Sequence, residues 1–187
     1  MDARARSGGS RASGFTVVEV TIMSTILVVG VLGMIAAVIA GMRLAAVNRE
    51  TSAAHEAARA VIERMQSTAF SQIFATYDSD PANDPGGAGT APGAKFAVAG
   101  LVAQKNDLDG LAGDVLFPTI QVGGVDRLSE SVTDARWRMP ADLNADGIVS
   151  AGAMPGTYMI LPVRVHVQWR GAGGNRHLDL DHVFVDH

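Results

Sequence analysis

Cysteine is missing from all 187 residues. No disulfide can staple the fold, and no thiolate is available as nucleophile or metal ligand. Aromatic residues make up 5% of the chain, so whatever core forms must be built from Val, Leu and Ala. No GxxxxGK(S/T), HExxH or GxGxxG occurs, and no serine stands in a recognisable nucleophile motif. The chain therefore points to partners rather than substrates, and no enzymatic activity is expected. Net charge is −4, which argues against nonspecific nucleic-acid binding through phosphate contacts; no specific nucleic-acid partner is expected.

Charge is also missing locally. From Val20 to Met42 there is no ionisable residue, a run long enough to cross a hydrocarbon layer of ~30 Å as a helix. Arg4, Arg6 and Arg11 precede the run, and Arg43 and Arg49 follow it with Glu50 and Glu56. The bias toward a cytoplasmic N-terminus is mild. A secretory signal would have a shorter apolar block ending in a small-residue cleavage site. Here the candidate cleavage residue, Gly14, stands ahead of the block, so cutting there leaves the apolar helix on the mature chain.

Gly14-Phe15-Thr16-Val17-Val18-Glu19 sinks one carboxylate near the start of that helix. A charge in such a place is expensive and is kept for a task with a named partner. Glycine, then Phe, then Glu four residues later, then about twenty apolar residues, resembles the class III signal of type IV pilins and type II secretion pseudopilins. The resemblance covers residues 8 to 45, and more softly the Val163–Trp169 strand with its Gly-rich turn and closing strand, which look like those of pilus-modification minor pilins. It implies a pilin fold: α+β, with a long N-terminal transmembrane and amphipathic helix packed on a small antiparallel sheet. It further implies cleavage after Gly14 by a prepilin peptidase, N-methylation of Phe15, and pairing of Glu19 with the free amino group of a neighbouring or its own Phe15. Removing residues 1–14 takes away three arginines and one aspartate, moving the net charge from −4 to −6. The implied partners are other pilins or pseudopilins and an inner-membrane assembly platform. The implied function is that of a minor pilin, inserted in the inner membrane with its N-terminus cytoplasmic and then assembled into an extracellular or periplasmic filament. A minor pseudopilin of a secretion system is the close alternative. An uncleaved signal anchor, or a membrane-anchored calcium-binding module that never polymerises, is the more distant one. Pilins often carry a proline in the apolar helix and a disulfide beyond it; this chain has neither, and Gly30, Gly33 and Gly41 interrupt the helix instead.

The expected organisation is a leader at 1–14, an assembly helix at 15–42, an amphipathic helix at 43–77, a Pro/Gly-rich loop at 78–95 and a sheet domain at 96–187. Ala54, Ala58, Ile62, Met65, Ala69 and Ile73 make one helical stripe, Ala-rich and too short for a coiled coil. Strands are expected at Phe96–Val102 and Val115–Val122, the second at an edge because of Pro118. Strict alternation from Tyr158 to Arg170 and a return strand from Asn175 to Val185 predict a hairpin. Pairing Arg170 with Asn175 sets Val167 against Leu178, Val165 against Leu180, Leu161 against Phe184, Arg164 against Asp181 and His166 against Asp179. His166, His177, Asp179, Asp181 and His182 are read as charge pairs on a solvated face rather than as a metal site. His182 falls on the other face.

Asp142-Leu143-Asn144-Ala145-Asp146-Gly147-Ile148-Val149-Ser150 matches the first nine places of an EF-hand or dockerin-type loop. Oxygens fall at places 1, 3 and 5, a glycine turn at 6, the Ile148 carbonyl at 7 and Ser150 at 9. Ala153 stands where the bidentate acid belongs. Two outcomes stay open, a weak Ca²⁺ site or an Asx-rich turn with no ion. Lys105-Asn106-Asp107-Leu108-Asp109-Gly110 has no acid at its first place and reads as a turn.

Overall fold

The computed structural model describes residues 14–154 and 157–186; of the expected leader, 1–14, all but Gly14 lies outside them. The chain divides by its contacts into two units between Leu44 and Ala45. The first is apolar helix. The second is an α+β unit with a small antiparallel sheet.

Helix α1 runs Val17–Gln66, unbroken through Gly30, Gly33 and Gly41. Its first part is long and apolar enough to cross a membrane, by length and composition. The hydroxyls of Thr21 and Thr25 donate to the carbonyls of Val17 (2.7 Å) and Thr21 (2.8 Å), so they add no unpaired polar group to this apolar stretch. In the second unit Ala54, Ala58, Val61, Ile62 and Met65 are buried, the expected stripe with Val61 added.

The helix was expected to continue to Tyr77, but it ends eleven residues earlier in favour of a 3₁₀ turn at Phe70–Gln72 and a short helix α2, Ile73–Tyr77. Ser67 and Thr68 cause the stop. Their hydroxyls both bond the Arg64 carbonyl (2.7 and 3.1 Å), competing with the helical ladder. Ala69 then turns extended (φ −56°, ψ 132°) and is exposed rather than part of the stripe. Tyr158 repairs the break from across the fold: its hydroxyl donates to the Phe70 carbonyl (2.8 Å) and accepts from the Phe74 amide (3.2 Å).

Strands β1 (Lys95–Phe96), β2 (Gly113–Leu116), β5 (Ile160–Gly171) and β6 (Gly174–Val185) form one antiparallel sheet in the order β1-β2-β5-β6. Strands β3 (Thr119–Val122) and β4 (Val125–Leu128) form a separate hairpin. Phe96–Val102 is thus a strand only at its first residue, since Gly100 (φ 80°) turns the chain and Leu101 bonds back to Val98. Val115–Val122 is two strands, because Phe117-Pro118 breaks the ladder and the halves join different sheets. The partner of the second half follows Gly123 and Gly124, both at positive φ (63° and 85°), the two-residue hairpin turn that a Gly-Gly pair favours.

The β5–β6 hairpin has the predicted register at every pair named above. Leu161, Val163, Val165, Val167 and Trp169 are each at most 2% exposed and share the core with the stripe of α1. Glu50 of α1 closes the top of this packing, accepting from the Trp169 indole (3.2 Å) and from the Ala172 amide in the hairpin turn (3.1 Å). Gly171 makes room for it; a Cβ there would collide with the Glu50 carboxylate.

The opposite face of the hairpin is solvated at His177 and Asp181, as expected, but covered at Arg164. Arg164 is 4% exposed. It forks onto Asp181 (2.6 and 2.9 Å), with Asp134 at 3.6 Å and the Trp137 ring 5.0 Å away. The 3₁₀ turn Ala135–Trp137 covers it. The charge pairs are real, but Arg164 sits under a loop whose packing has no sequence periodicity. Lys95 lies between Asp109 (2.5 Å) and Asp114 (2.9 Å), and these bonds push its pKa up. The Lys105–Gly110 segment is thereby tied down as a turn.

On the other edge of the sheet, Phe96 pairs with Gly113 and lays its ring over it. A Cβ at Gly113 would overlap that ring, and the site is walled by β5 on its far side. Gly113→Ala should therefore destabilise the fold by about 1–3 kcal/mol through overpacking. Urea melts in detergent check this, and removing the ring as well (Phe96→Ala with Gly113→Ala) should recover part of the loss.

Candidate functional site

Two places carry the chemistry anticipated from the sequence. The first is the start of α1. Thr16 caps the helix: its hydroxyl accepts from the Glu19 amide (3.2 Å) and its carbonyl from the Val20 amide (3.1 Å). That cap fixes the helix start two residues after Phe15 and sets Glu19 in the first turn, where the helix dipole favours a negative charge. Phe15 is 70% exposed, and every residue from Gly14 to Ala45 is exposed. The apolar side chains of this stretch are thus left for something outside the chain to cover.

The second place is the Asp142 loop. Leu143, fully buried, pins it, and its carbonyl accepts from both Met159 and Ile160 (2.7 and 3.0 Å). Ala145 and Gly147 take positive φ (61° and 85°), which wraps the chain around its own side chains. Asp142 accepts from the Gly147 amide (2.7 Å) and the Asp146 amide (3.3 Å). Asn144 accepts from the Asp146 amide (2.9 Å) and donates to the Asp146 carboxylate (3.0 Å). Asp146 accepts from the Ile148 amide (2.8 Å). The three expected side chains are therefore brought together, and they close the turn through hydrogen bonds.

Each carboxylate oxygen has two lone pairs, so these bonds leave capacity for a cation. With the Ile148 carbonyl and Ser150 the loop offers fewer strong donors than the 6–8 oxygens calcium prefers. Ala153 contributes none, and among the described residues no group of three His, Cys, Asp or Glu side chains is placed to hold a metal. The donor chemistry fits a weak oxygen site with water completing the shell.

The residue that sequence reasoning missed is Glu130. It is fully buried, yet its carboxylate is satisfied by three backbone amides: Leu143 (2.9 Å), Asn144 (3.3 Å) and Ser150 (2.8 Å). It holds both ends of the Asp142 loop from outside it. A buried carboxylate is tolerable when its oxygens receive charge-assisted bonds of this kind. Nothing in the spacing of Leu128-Ser129-Glu130-Ser131 announces the role, because the amides it serves are brought to it by the tertiary fold.

Glu130→Gln places an NH₂ against at least one backbone donor and removes the charge from the bonds that remain. It should cost about 1–3 kcal/mol and speed amide exchange at Asn144 and Ser150 before that at Val165, as read by hydrogen exchange. Equal acceleration at all three would show that Glu130 serves the whole core rather than this loop.

Comparison with known protein families, with curated proteins and with solved structures gives no match.

Proposed function

We propose that this chain is a minor subunit of a type IV pilus-like filament, inserted in the inner membrane and then drawn into a fibre through its N-terminal helix. The observation that carries the reading is the start of α1: an uncovered apolar helix with Glu19 as its one carboxylate before Met42. Lipid can cover the apolar side chains, but it cannot pair the carboxylate. A bundle of like helices can do both if each Glu19 meets a free amino group, since a buried charge needs a paired and hydrogen-bonded partner. That amino group exists on Phe15 once the chain is cut after Gly14. The partners this requires are a prepilin peptidase, other pilin-like subunits and an inner-membrane platform.

The experiment is mass spectrometry of the chain recovered from cells with an active prepilin peptidase. The expected N-terminus is Phe15 with a methylated amine. Glu19→Val should still insert in the membrane but enter sheared fibres about tenfold less, the worth of a charged hydrogen bond. An uncut N-terminus, or a variant that assembles like the natural chain, overturns the proposal.

We further propose that Asp142, Asn144, Asp146, the Ile148 carbonyl and Ser150 hold calcium weakly outside the cell, where the ion would serve as a loop clip in a fold without disulfides. With Kd of order 10⁻⁴–10⁻³ M, as in weak extracellular modules, millimolar calcium should add about 0.4–1.4 kcal/mol, a few degrees in melting temperature. Thermal melts with calcium and with chelator check this; Asp142→Ala with Asp146→Ala should abolish the difference. A natural chain that melts identically in both would leave the loop a hydrogen-bonded turn.

A further inference from the structure

The four-stranded sheet has two unequal edges. One is β1, two residues long. The other is β6, twelve residues long and paired without a bulge from Gly174 to Val185. The direction of its backbone groups follows from its partner. The Gln168 and Arg170 amides of β5 point away from β6, to Ala112 and Val102, whereas the Asp186 amide beyond β6 points back to Met159. In an antiparallel ladder this alternation continues along the strand. Even-numbered residues of β6 bond to β5, and the backbone groups of His177, Asp179, Asp181, Val183 and Val185 face outward. Among the described residues no acceptor bonds their amides.

Folded proteins blunt such an edge with proline, a bulge, lysine or a short strand. Strand β6 has none of these. Of the charges it carries, Asp181 is drawn onto the sheet face by Arg164 and Asp179 by His166 (2.5 Å), while Arg176 lies on the other face, paired with Trp169. Toward its end it turns apolar: Val183 and Val185 are 52% and 47% exposed.

We propose that β6 is a docking edge for an extended segment of a different polypeptide, which adds a fifth strand to the sheet. The segment would carry cationic side chains opposite Asp179 and Asp181 and β-branched apolar ones opposite Val183 and Val185. Charge selects this partner over a second copy. Asp134, Asp179 and Asp181 share one cluster with Arg136, Arg164 and His166, three carboxylates to two guanidinium groups. The fullest antiparallel overlap of two β6 edges, centred on Leu180, would set each Asp179 against the other copy's Asp181, and like charges directly opposite are destabilising. A cationic strand meets the surplus instead, with main-chain bonds for affinity and alternate side chains for specificity.

The test uses the full chain in detergent and synthetic peptides in which threonine alternates with lysine, lysine, valine and valine, made in both sequence orders to allow either strand direction. In the free chain, amides of His177, Asp179, Asp181, Val183 and Val185 should exchange fast, and those of Leu178 and Leu180 slowly. One lysine peptide should slow the outward set, and its glutamate counterpart should not. Val183→Pro removes an outward amide and no bond to β5; it should weaken peptide binding by about tenfold while Leu178 and Leu180 stay protected. Outward amides already slow in the free chain, protection that grows with protein concentration alone, equal binding of the glutamate peptide, or protection by neither lysine peptide would each overturn the proposal.

Discussion

The second unit depends on one constraint, the parity of the β5–β6 ladder. Because side chains alternate across a strand, the twelve uninterrupted pairs from Ile160↔Val185 to Gly171↔Gly174 settle every side at once. Leu161, Val163, Val165, Val167 and Trp169 go to the core shared with α1. Arg164 and His166 go to the other face, where Asp181 and Asp179 meet them. A slip of one residue would present arginine to the alanine stripe of α1 and valine to the aspartates. The same parity decides which amides of β6 bond inward and which face out.

Around that ladder the fold uses carboxylates where a domain with cysteines could use disulfides. Glu50 ties α1 to the hairpin turn, Glu130 ties both ends of the Asp142 loop, and Asp84 accepts from the Ala91 amide to close the Pro/Gly-rich segment (3.1 Å). Asp78 anchors that segment by accepting from Asn83 (2.7 Å) and from the Asp80 amide (3.1 Å); burial nonetheless holds its carboxyl above the usual range. The long loop is thus threaded by its own acids. These staples differ from a disulfide in kind: each works through bonds to specific backbone amides, so each demands a folded neighbour to accept from.

What could be read from the chain and what could not divide along the range of the interactions. The apolar run, the α1 stripe and the β5–β6 register rest on period and cross-strand complementarity, which are local patterns, and the structure has them. The end of α1 at Gln66 was legible in principle from Ser67-Thr68, but helix period alone carried the expectation past it. The β3–β4 hairpin had its Gly123-Gly124 signal, masked by the apolar continuity across Pro118. Glu130, Tyr158 and the cover over Arg164 had no such signal. Each acts on backbone or side chains brought to it from elsewhere in the sequence, as Tyr158 does on Phe70 and Phe74. At the candidate sites, the side chains of the Asp142 loop converge as their spacing implied, while the residue that secures that loop lies outside the motif.

The bond between Glu50 and Trp169 has a practical side. Of the two tryptophans in the chain, Trp169 is 2% exposed, with its indole nitrogen held by a carboxylate of α1. Its emission is consequently tied to the docking of helix and hairpin. A phenylalanine at the Trp137 position would leave Trp169 as the single tryptophan, a built-in optical gauge of that docking. Its wavelength would move to the red when water reaches the ring, so the state of the domain could be followed without any attached dye.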